Sequence, residues 1–408
     1  MADQKKKILI FSFVYYPRFI GGAEIAIKEI TDRVEGVEFD LIALRLDKSL
    51  PETEKIGNVT VHRIGWTGSA QASPDSLPAF LHLNKYAYPF LAAIKACKLH
   101  AHRKYTAIWG MMANYSGFAA LFFKLFHMDV PFLLTLQEGD PIEYIKSRAF
   151  RISIGPIKIP VKWIMLPVFG MIFKHADRIQ TISNYLADFA KSMGATCPVT
   201  VVPNGVDVPH FSQEYSPDEI GAIKTSLGKA EGDVFIITTS RLVVKNAVND
   251  IVEALSHLPA NVKLIVLGVG YELANLKALA AELDVASRVQ FLGYVSHADM
   301  PKYLKASDIF IRPSISEGFG NSFIEAMAAG LPVIATPVGG IVDFLKNKET
   351  GLFCEVSNPE DIARKVEVYM HDTGLRDEIV DNAMHMVLDH YDWKLVSKDM
   401  REKVFDIL

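Results

Sequence analysis

Two glutamates with seven residues between them occur in the run Ser316-Glu-Gly-Phe-Gly-Asn-Ser-Phe-Ile-Glu-Ala-Met-Ala-Ala-Gly330. The apolar segment Asp308-Ile-Phe-Ile-Arg-Pro before the run predicts a buried parallel strand. Apolar residues at helical spacing within the run predict a helix that ends at Gly330. A strand, a glycine-rich turn and a helix in this order direct backbone N–H groups toward the carboxyl edge of a parallel sheet. The run therefore predicts an α/β domain with a ligand-binding turn.

The spacing of the two glutamates bears on what this turn can hold. Glu317 is expected in the loop, and Glu325 about one turn into the helix, on the same face as Asn321. One carboxylate can then reach the hydroxyls of a sugar while the other reaches a ribose. The alternative is a glycine-rich loop with two ordinary helix-cap acids, and the spacing alone does not separate these two interpretations.

The run closely resembles the donor-sugar signature of retaining glycosyltransferases of family 4, which have the GT-B fold. Further stretches agree with this family in the same order, namely Gly21-Gly22-Ala23-Glu24, Pro203-Asn204-Gly205-Val206-Asp207, Ser240-Arg241-Leu242-Val243-Val244-Lys245 and Gly339-Gly340. The resemblance covers nearly the whole length and is strongest from about 201 to 353. It implies an α/β GT-B protein, in which two Rossmann-like parallel-sheet domains face each other across the active-site cleft.

The resemblance also implies which residues bind the donor, a nucleotide-diphosphate sugar of the UDP or GDP type. The implied donor contacts are Gly21, Gly22, Gly268, Gly318, Phe319, Gly320, Asn321, Ser322 and Glu325. The implied catalytic residues are Arg241, Lys245, Glu317 and Gln137. The candidates for the acceptor side are Glu138 and Asp140.

The composition sets the general class of the protein. A length of 408 residues, half of them apolar, indicates two domains with substantial cores. Three distant cysteines, Cys97, Cys197 and Cys354, argue against disulfides and against a zinc site. The amino-terminal segment has no apolar region followed by a cleavage site, and no stretch of 18 uncharged apolar residues occurs. We therefore expect a cytoplasmic protein.

The two halves of the chain differ in charge. Residues 1–205 carry 24 Lys and Arg against 17 Asp and Glu, whereas the remainder carries 19 against 30. We assign 1–205 to an acceptor-side domain and 206–387 to a nucleotide-sugar domain. By the resemblance, a helix at about 388–408 returns to the first domain. The basic half lacks helix-turn-helix, zinc-finger and aromatic RNA-binding patterns, so nucleic acid is not an expected partner.

Two cations follow the strand that ends in Thr-Thr-Ser240. At the carboxyl end of a sheet, Arg241 and Lys245 can neutralise a diphosphate leaving group as its charge develops. A solvated cationic face is the alternative. The chain has no Asp-x-Asp pair, the motif that usually bridges a metal ion and the diphosphate in the other large glycosyltransferase fold, and Glu138-x-Asp140 is the most similar sequence. We therefore expect neither a metal nor a cofactor besides the nucleotide sugar. Gly-x-Gly-x-x-Gly is also absent, which disfavours NAD.

Gln137 departs from the family pattern. The family usually has a histidine at this position, which contacts the transferring sugar. Glutamine donates and accepts hydrogen bonds but does not change charge near neutral pH. The departure bears on sugar positioning and acceptor choice more than on activity. The sequence leaves structural alternatives open: Gln137 as a turn cap, Glu138 and Asp140 as loop acids, and the glycines at 21, 22 and 268 as plain turns.

The segment from 80 to 178 is basic and apolar, with 13 Lys and Arg against 5 Asp and Glu and with interleaved aromatic residues. Such a segment fits a surface that rests on an anionic membrane, at roughly 1 kcal/mol for each cation near the surface. A buried core with lysines that extend to solvent fits about as well. The first interpretation predicts peripheral attachment to the inner face of a membrane.

The leading functional interpretation is a retaining, metal-independent, hexosyltransferase-like glycosyltransferase with a glycan or lipid-linked acceptor. Other GT-B reactions are alternatives, but a nucleotide-sugar 2-epimerase needs additional acid and base residues that the sequence does not reveal. Phosphorylases of this fold are larger and use pyridoxal phosphate. A non-catalytic nucleotide-sugar-binding protein is a third interpretation, supported only by the missing histidine. The sequence predicts neither the sugar nor the oligomeric state.

Overall fold

The structure is a computed structural model that describes residues 5–17, 21–67, 83–140, 151–154, 157–160 and 162–408, without the side chains of 151–166. The chain divides into two compact units. The first unit consists of Met1–Pro203 and Lys394–Leu408, and the second consists of Asn204–Trp393. The sequence predicts these boundaries at 205 and at about 388, so the two divisions differ by a few residues.

The first unit contains an eight-stranded sheet with the order β10-β9-β6-β5-β1-β2-β4-β3. All neighbouring strands are parallel except β3 and β4, which pair antiparallel. The strands are β1 (Lys6–Phe11), β2 (Val37–Leu44), β3 (Thr53–Ile56), β4 (Val59–Ile64), β5 (Ala107–Met111), β6 (Phe132–Leu136), β9 (Arg178–Thr181) and β10 (Val199–Val201), with a separate hairpin of β7 (Arg151–Ile154) and β8 (Ile157–Pro160).

The helices of the first unit are α1 (Gly22–Arg33), α2 (Leu83–Arg103), α3 (Tyr115–Phe126), α4 (Lys162–His175) and α5 (Asn184–Ser192). The carboxyl terminus of the chain also belongs to this unit: a helix spans Trp393–Met400 and continues as a π-helical turn over Arg401–Phe405. The ring of Phe405 packs 5.2 Å from that of Trp109, and its carbonyl accepts a 2.6 Å hydrogen bond from Lys6.

The second unit contains a six-stranded, fully parallel sheet with the order β13-β12-β11-β14-β15-β16. Its strands are β11 (Val234–Thr239), β12 (Val262–Leu267), β13 (Val289–Gly293), β14 (Ile309–Arg312), β15 (Val333–Ala335) and β16 (Leu352–Phe353). Its helices are α6 (Val208–Ser212), α7 (Pro217–Ser226), α8 (Val248–Ala254), α9 (Leu273–Glu282), α10 (Met300–Lys305), α11 (Asn321–Ala328), α12 (Pro359–His371) and α13 (Thr373–His390). The strand order reverses between β11 and β14. In doubly wound sheets, ligands bind at the carboxyl edge of that reversal.

Apolar strands explain why this sheet is buried on both faces. Ile236, Leu264 and Ile309 belong to one core cluster with residues of α8, α9 and α12. On the other face, the ring of Phe310 packs against Phe323 of α11 at 5.7 Å. Parallel sheets with helices on both faces require such nearly continuous apolar strands.

The structure confirms the predicted α/β architecture with two parallel-sheet units. The strand predicted at 308–313 corresponds to β14 (Ile309–Arg312), and the strand predicted to end at Ser240 corresponds to β11 (Val234–Thr239). The short strand β3 and the β7–β8 hairpin were not predicted. β3 is an antiparallel edge strand whose side chains are exposed or half-buried, so it lacks the apolar pattern of the other strands. None of the helices in the described part of the chain has the length and apolarity needed to span a bilayer.

Candidate active site

The predicted cations lie in the loop that follows β11. Arg241 is exposed, and Lys245 is half-buried within a short 3-10 turn, Val244–Asn246. The side-chain amide of Asn246 donates a 2.7 Å hydrogen bond to the carbonyl of Arg241 and thereby closes the loop. The carbonyl of Lys245 accepts a 2.8 Å hydrogen bond from the backbone N–H of Ile315. The loops after β11 and β14 are therefore joined at the switch point of the sheet.

Glu317 is held in this joined region by a buried arginine. Arg312, the last residue of β14, forms an ion pair with the Glu317 carboxylate, and both residues are more than nine-tenths buried. The guanidinium also donates to Asn246 Oδ1 at 3.1 Å and to Ser322 Oγ at 2.8 Å. The second carboxylate oxygen of Glu317 accepts a 3.0 Å hydrogen bond from the N–H of Gly318. Two donors therefore fix the orientation of the carboxylate.

The turn between Glu317 and α11 depends on Gly320. Its φ is +95°, and a Cβ at this position would lie 2.5 Å from a ring carbon of Phe323, so only glycine fits without rearrangement. The side chain of Phe319 is buried against Phe344, with ring centroids 5.1 Å apart, and supports the turn from the core. Asn321 begins the helix, and its side-chain Oδ1 accepts a 3.2 Å hydrogen bond from the side-chain amide of Asn204.

Glu325 lies one turn into α11, as predicted from its spacing. Its side chain is half-buried, and Oε1 lies 3.6 Å from Nε2 of His297, in the segment between β13 and α10. The carbonyl of His297 accepts a 2.9 Å hydrogen bond from the imidazole of His210. An imidazole therefore lies beside the second glutamate of the motif, a neighbour that the sequence did not indicate.

Gly268 follows β12 and packs against the loop after β11. Its φ is +148°, and a Cβ would lie 1.8 Å from the carbonyl oxygen of Ser240. Beside it, the N–H of Leu242 donates a 2.9 Å hydrogen bond to the carbonyl of Val269. This contact is a sufficient structural reason for glycine at position 268.

The predicted glycines of the first unit lie at the start of α1. The N–H of Gly21 donates a 3.0 Å hydrogen bond to Glu24, the capping arrangement that the Gly-Gly-Ala-Glu run favours. A Cβ at Gly21 would have no atom of the described residues within 4 Å. No described residue of the chain therefore requires glycine at position 21 for packing.

Gln137, Glu138 and Asp140 follow β6 in the first unit. Gln137 is half-buried, and its backbone N–H donates a 2.9 Å hydrogen bond to Glu138 Oε2. Glu138 Oε1 accepts a 2.6 Å hydrogen bond from the N–H of Ala113, which follows the neighbouring strand β5. Burial raises the pKa of Glu138 to about 7, although these two N–H groups act in the opposite direction. Asp140 is half-buried and ends this described range of the chain.

Besides His297, the sequence analysis missed Arg312 and Asn246 in the second-unit site. The available signal was a charged residue within the apolar segment 308–313, because a buried arginine requires a partner. Within the described ranges, no three His, Cys, Asp or Glu side chains are grouped so that they could hold a metal ion. The cysteines at 97, 197 and 354 are free thiols.

The sequence matches two family models. "Glycosyltransferase Family 4" covers residues 20–209, and "Glycosyl transferases group 1" covers residues 219–386. An uncharacterized glycosyltransferase of Methanocaldococcus jannaschii is 27% identical over 406 residues, 96% of each protein. A GDP-mannose-dependent monoacylated alpha-(1-6)-phosphatidylinositol monomannoside mannosyltransferase of Corynebacterium glutamicum is 31% identical over 218 residues, 50% of this chain and 56% of that protein.

Solved structures of similar fold cover nearly the whole chain. Sucrose-phosphate synthase of Thermosynechococcus elongatus matches with a TM-score of 0.79 at 20% identity, over 98% of this chain and 99% of that chain. Anabaena HepE in complex with UDP-glucose matches with a TM-score of 0.77 at 20% identity, over the same shares. At this identity the structures establish the fold, and the family models establish the enzyme class. The chain therefore belongs to glycosyltransferase family 4 and is a glycosyltransferase with the GT-B fold.

Proposed function

We propose that this enzyme transfers a sugar from a nucleotide-diphosphate sugar to a glycan or lipid-linked acceptor, with retention of configuration and without a metal ion. The bond between the anomeric carbon and the diphosphate oxygen breaks, and the acceptor oxygen bonds to the anomeric carbon on the same face. The departing diphosphate takes the proton of the acceptor hydroxyl, so no protein base is required.

The observation that carries this proposal is the joined pair of loops at the switch point of the second sheet. Arg241 and Lys245 lie on one loop, Glu317 lies on the other, and the Ile315–Lys245 hydrogen bond links them. Cations at such a position stabilise the charge that develops on a departing diphosphate, the role a metal fills in other transferases. A carboxylate on the adjacent loop accepts hydrogen bonds from the hydroxyls of the sugar.

Within the same proposal, the second glutamate binds the nucleoside. Glu325 is half-buried and lies one turn into the helix that follows the Glu317 loop, so the two carboxylates are suited to different parts of one donor. Glu317 serves the sugar and Glu325 the ribose hydroxyls. The turn residues Gly318, Gly320, Asn321 and Ser322, with Phe319 supporting them, and the Gly268 turn then line the donor site.

The remaining residues of the proposal lie in the first unit. Gly22 is exposed and Gly21 is half-buried, so a phosphate or sugar can approach the backbone of these two glycines at the start of α1. Gln137 replaces the usual histidine as a neutral hydrogen-bonding group for the sugar. Glu138 and Asp140 are assigned to the acceptor side, where Glu138 is held by backbone N–H groups of two neighbouring strands' loops.

Two similar proteins support a donor of the UDP or GDP type. HepE was solved with UDP-glucose, and the Corynebacterium relative is GDP-mannose-dependent, so the proposed donor is a UDP or GDP sugar. The test is donor hydrolysis by the purified protein, with UDP-glucose and GDP-mannose tried separately. We expect release of nucleoside diphosphate and of the sugar with its original anomeric configuration, seen by NMR, with and without EDTA. Inversion, or full inhibition by EDTA, contradicts the proposed mechanism, and absence of activity with every nucleotide sugar favours a non-catalytic binder.

An exposed apolar surface supports a lipid-linked acceptor. We call it the α2–α3 face; its members are Phe90, Ile94, Leu125, Phe126 and Met128, and Phe126 is 78% exposed. The two helices lie side by side, because the rings of Phe90 and Phe122 stack at 4.9 Å and those of His100 and His127 lie 4.8 Å apart. Several exposed apolar side chains on two packed helices are typical of sites for a protein partner or a membrane.

The charge around the α2–α3 face favours a membrane with anionic lipids. Helix α2 has four Lys and Arg and no Asp or Glu; Lys98 is exposed and Lys95 half-buried. Apolar side chains with neighbouring cations bind an anionic bilayer through both burial and attraction. Residues 80–82 and 141–150 of the basic segment lie outside the described residues, as do the side chains of 151–166. The proposal therefore rests on α2 and α3.

A further inference from the structure

Arg312 is a charged residue at a position that packing alone does not explain. It follows the apolar residues Ile309, Phe310 and Ile311 in β14, and only 9% of it is exposed. Burying an arginine is costly unless its donors are paired, and an apolar side chain of similar volume often serves stability as well or better. The reason for an arginine should therefore lie in what its guanidinium contacts.

The guanidinium contacts three parts of the candidate site at once. It forms the ion pair with Glu317, it donates to Ser322 Oγ at 2.8 Å in α11, and it donates to Asn246 Oδ1 at 3.1 Å. Asn246 in turn donates to the carbonyl of Arg241 at 2.7 Å. One rigid, planar group therefore connects the proposed sugar-binding carboxylate with the loop that bears the proposed diphosphate-binding cations.

These contacts leave the carboxylate able to bind a ligand. An ionised carboxylate offers about four acceptor positions. Arg312 occupies one position on one oxygen, and Gly318 N–H occupies one on the other. The remaining positions can accept hydroxyl donors, and the two fixed bonds determine the direction in which they point. Such preorganisation lowers the ordering cost when a ligand binds.

We propose that Arg312 is a positioning residue, which orients the Glu317 carboxylate for a hydroxyl of the donor sugar. The inference rests on the proposed function, because it takes Glu317 as the group that binds the sugar. Arg312 itself does not touch the substrate. It acts through Glu317: the N–H donors of its guanidinium fix the position of the carboxylate relative to the loop that carries Arg241.

The test separates binding of the sugar from binding of the nucleotide. Dissociation constants of UDP and UDP-glucose, and of GDP and GDP-mannose, are measured by calorimetry for the wild-type protein and for Arg312→Leu, Arg312→Lys and Glu317→Gln. For each pair that the wild-type protein binds, we expect Arg312→Leu to weaken binding of the nucleotide sugar about tenfold. This factor corresponds to the loss of one charge-assisted hydrogen bond. The affinity for the sugar-free diphosphate should change less than threefold. Arg312→Lys should lose an intermediate amount of affinity for the nucleotide sugar, because an ammonium group cannot reproduce the planar arrangement of donors in a guanidinium.

A double variant keeps the test decisive if Arg312→Leu does not fold. Arg312→Leu with Glu317→Gln removes both buried charges together, which avoids an unpaired carboxylate. If Arg312 acts through Glu317, the double variant binds the nucleotide sugar as tightly as Glu317→Gln alone. A further loss in the double variant overturns the inference, because Arg312 then acts independently of Glu317.

Arg288→Leu is the matched control. Arg288 belongs to the same unit but bonds to carbonyls at the opposite edge of the sheet, including Val262 and Leu255 at 3.0 and 2.8 Å. It should lower thermal stability without changing the ratio of the two affinities. Equal weakening of nucleotide and nucleotide sugar by Arg312→Leu leaves the proposed function standing and overturns this inference. Failure of the wild-type protein to bind either pair rejects both.

Discussion

Arg241 and Lys245 are the side chains on which the proposed chemistry depends most directly. Arg241→Ala or Lys245→Ala should lower the rate of donor hydrolysis by roughly two to three orders of magnitude, because each donor aimed at developing charge contributes about 3–4 kcal/mol. The fold should persist, since the Arg241 side chain is exposed and its carbonyl makes the loop contact. Steady-state rates with the active donor measure the effect.

Arg364→Ala is the control for this pair. Arg364 is an exposed cation on α12 of the same unit that pairs with Asp361. It should keep full activity, since its side chain is exposed and Lys365 still pairs with Asp361 when Arg364 is removed. Full activity of the Arg241 or Lys245 variant would contradict the proposed diphosphate-binding role.

Glu325 should determine affinity for the nucleoside part of the donor. Glu325→Gln should weaken binding of the sugar-free nucleoside diphosphate about tenfold or more, because a carboxylate binds ribose hydroxyls more strongly than a neutral amide does. Isothermal calorimetry measures this directly. Glu360→Gln, at an exposed position of α12, is the control and should bind as the wild type does. An unchanged dissociation constant in Glu325→Gln would show that Glu325 does not bind the ribose.

Glu138 should make stability depend on pH. Its pKa is raised by burial from 4.5 to about 7 in the folded protein, so the folded state holds its proton more tightly than the unfolded state. Stability from this group is fully present below pH 4.5 and is lost as the pH rises toward 7, by at most about 1.4 kcal/mol per pH unit. Above pH 7 the loss is complete.

The measurement compares wild type and Glu138→Gln, which resembles the protonated acid, by urea unfolding from pH 4.5 to 8. The wild type should lose free energy of unfolding relative to the variant as the pH rises. Glu35→Gln removes one negative charge at an exposed position of the same unit and is the control for the change in net charge. A difference between wild type and Glu138→Gln that is constant across this range would show that Glu138 ionises normally.

At the level of secondary structure, the sequence predicted β14 and α11 within a few residues, because apolar periodicity and the glycine at 330 are local signals. The pairing of Arg312 was not predictable in the same way. Asn246 lies 66 residues away, and its contact depends on β11 and β14 being adjacent. The contact of Glu138 with Ala113 depends likewise on the pairing of β5 with β6. Local sequence patterns therefore predicted the strands and helices, whereas predicting contacts between loops requires knowledge of the strand order.

Helices α2 and α3 carry the prediction about membranes. The protein should sediment with vesicles that contain phosphatidylglycerol, and binding should weaken between 0.1 and 1 M salt, because the screening length falls from about 10 to 3 Å. Phe126→Ser and Phe90→Ser should each reduce binding, since they remove exposed apolar surface from the α2–α3 face. Leu388→Ser alters a similarly exposed residue on α13 of the second unit and should have no effect. Absence of sedimentation at every salt concentration would indicate a soluble acceptor.

For the whole molecule, the two units have different properties. The first has a basic, apolar helical surface, and the second has the joined loops with both glutamates. The charge difference between the halves was visible in composition, but composition did not indicate which elements carry it. This division is consistent with an acceptor-side unit and a donor-binding unit. It also predicts that a donor should stabilise the chain through the second unit.

A nucleotide donor should therefore raise the melting temperature. A ligand at 100 times its dissociation constant adds about 2.7 kcal/mol to the folded state. In a unit of 190 residues, Asn204–Trp393, this corresponds to roughly 5–10 °C. UDP-glucose and GDP-mannose, compared by thermal shift over a range of concentrations, should differ, and the larger shift identifies the preferred donor of the two. Glu325→Gln should need a higher concentration of the same donor for the same shift, because the ribose contact is lost. If neither donor moves the melting temperature at millimolar concentration, a UDP or GDP sugar is not the substrate, and the assignment of the turn at Gly318–Ser322 to such a donor is wrong.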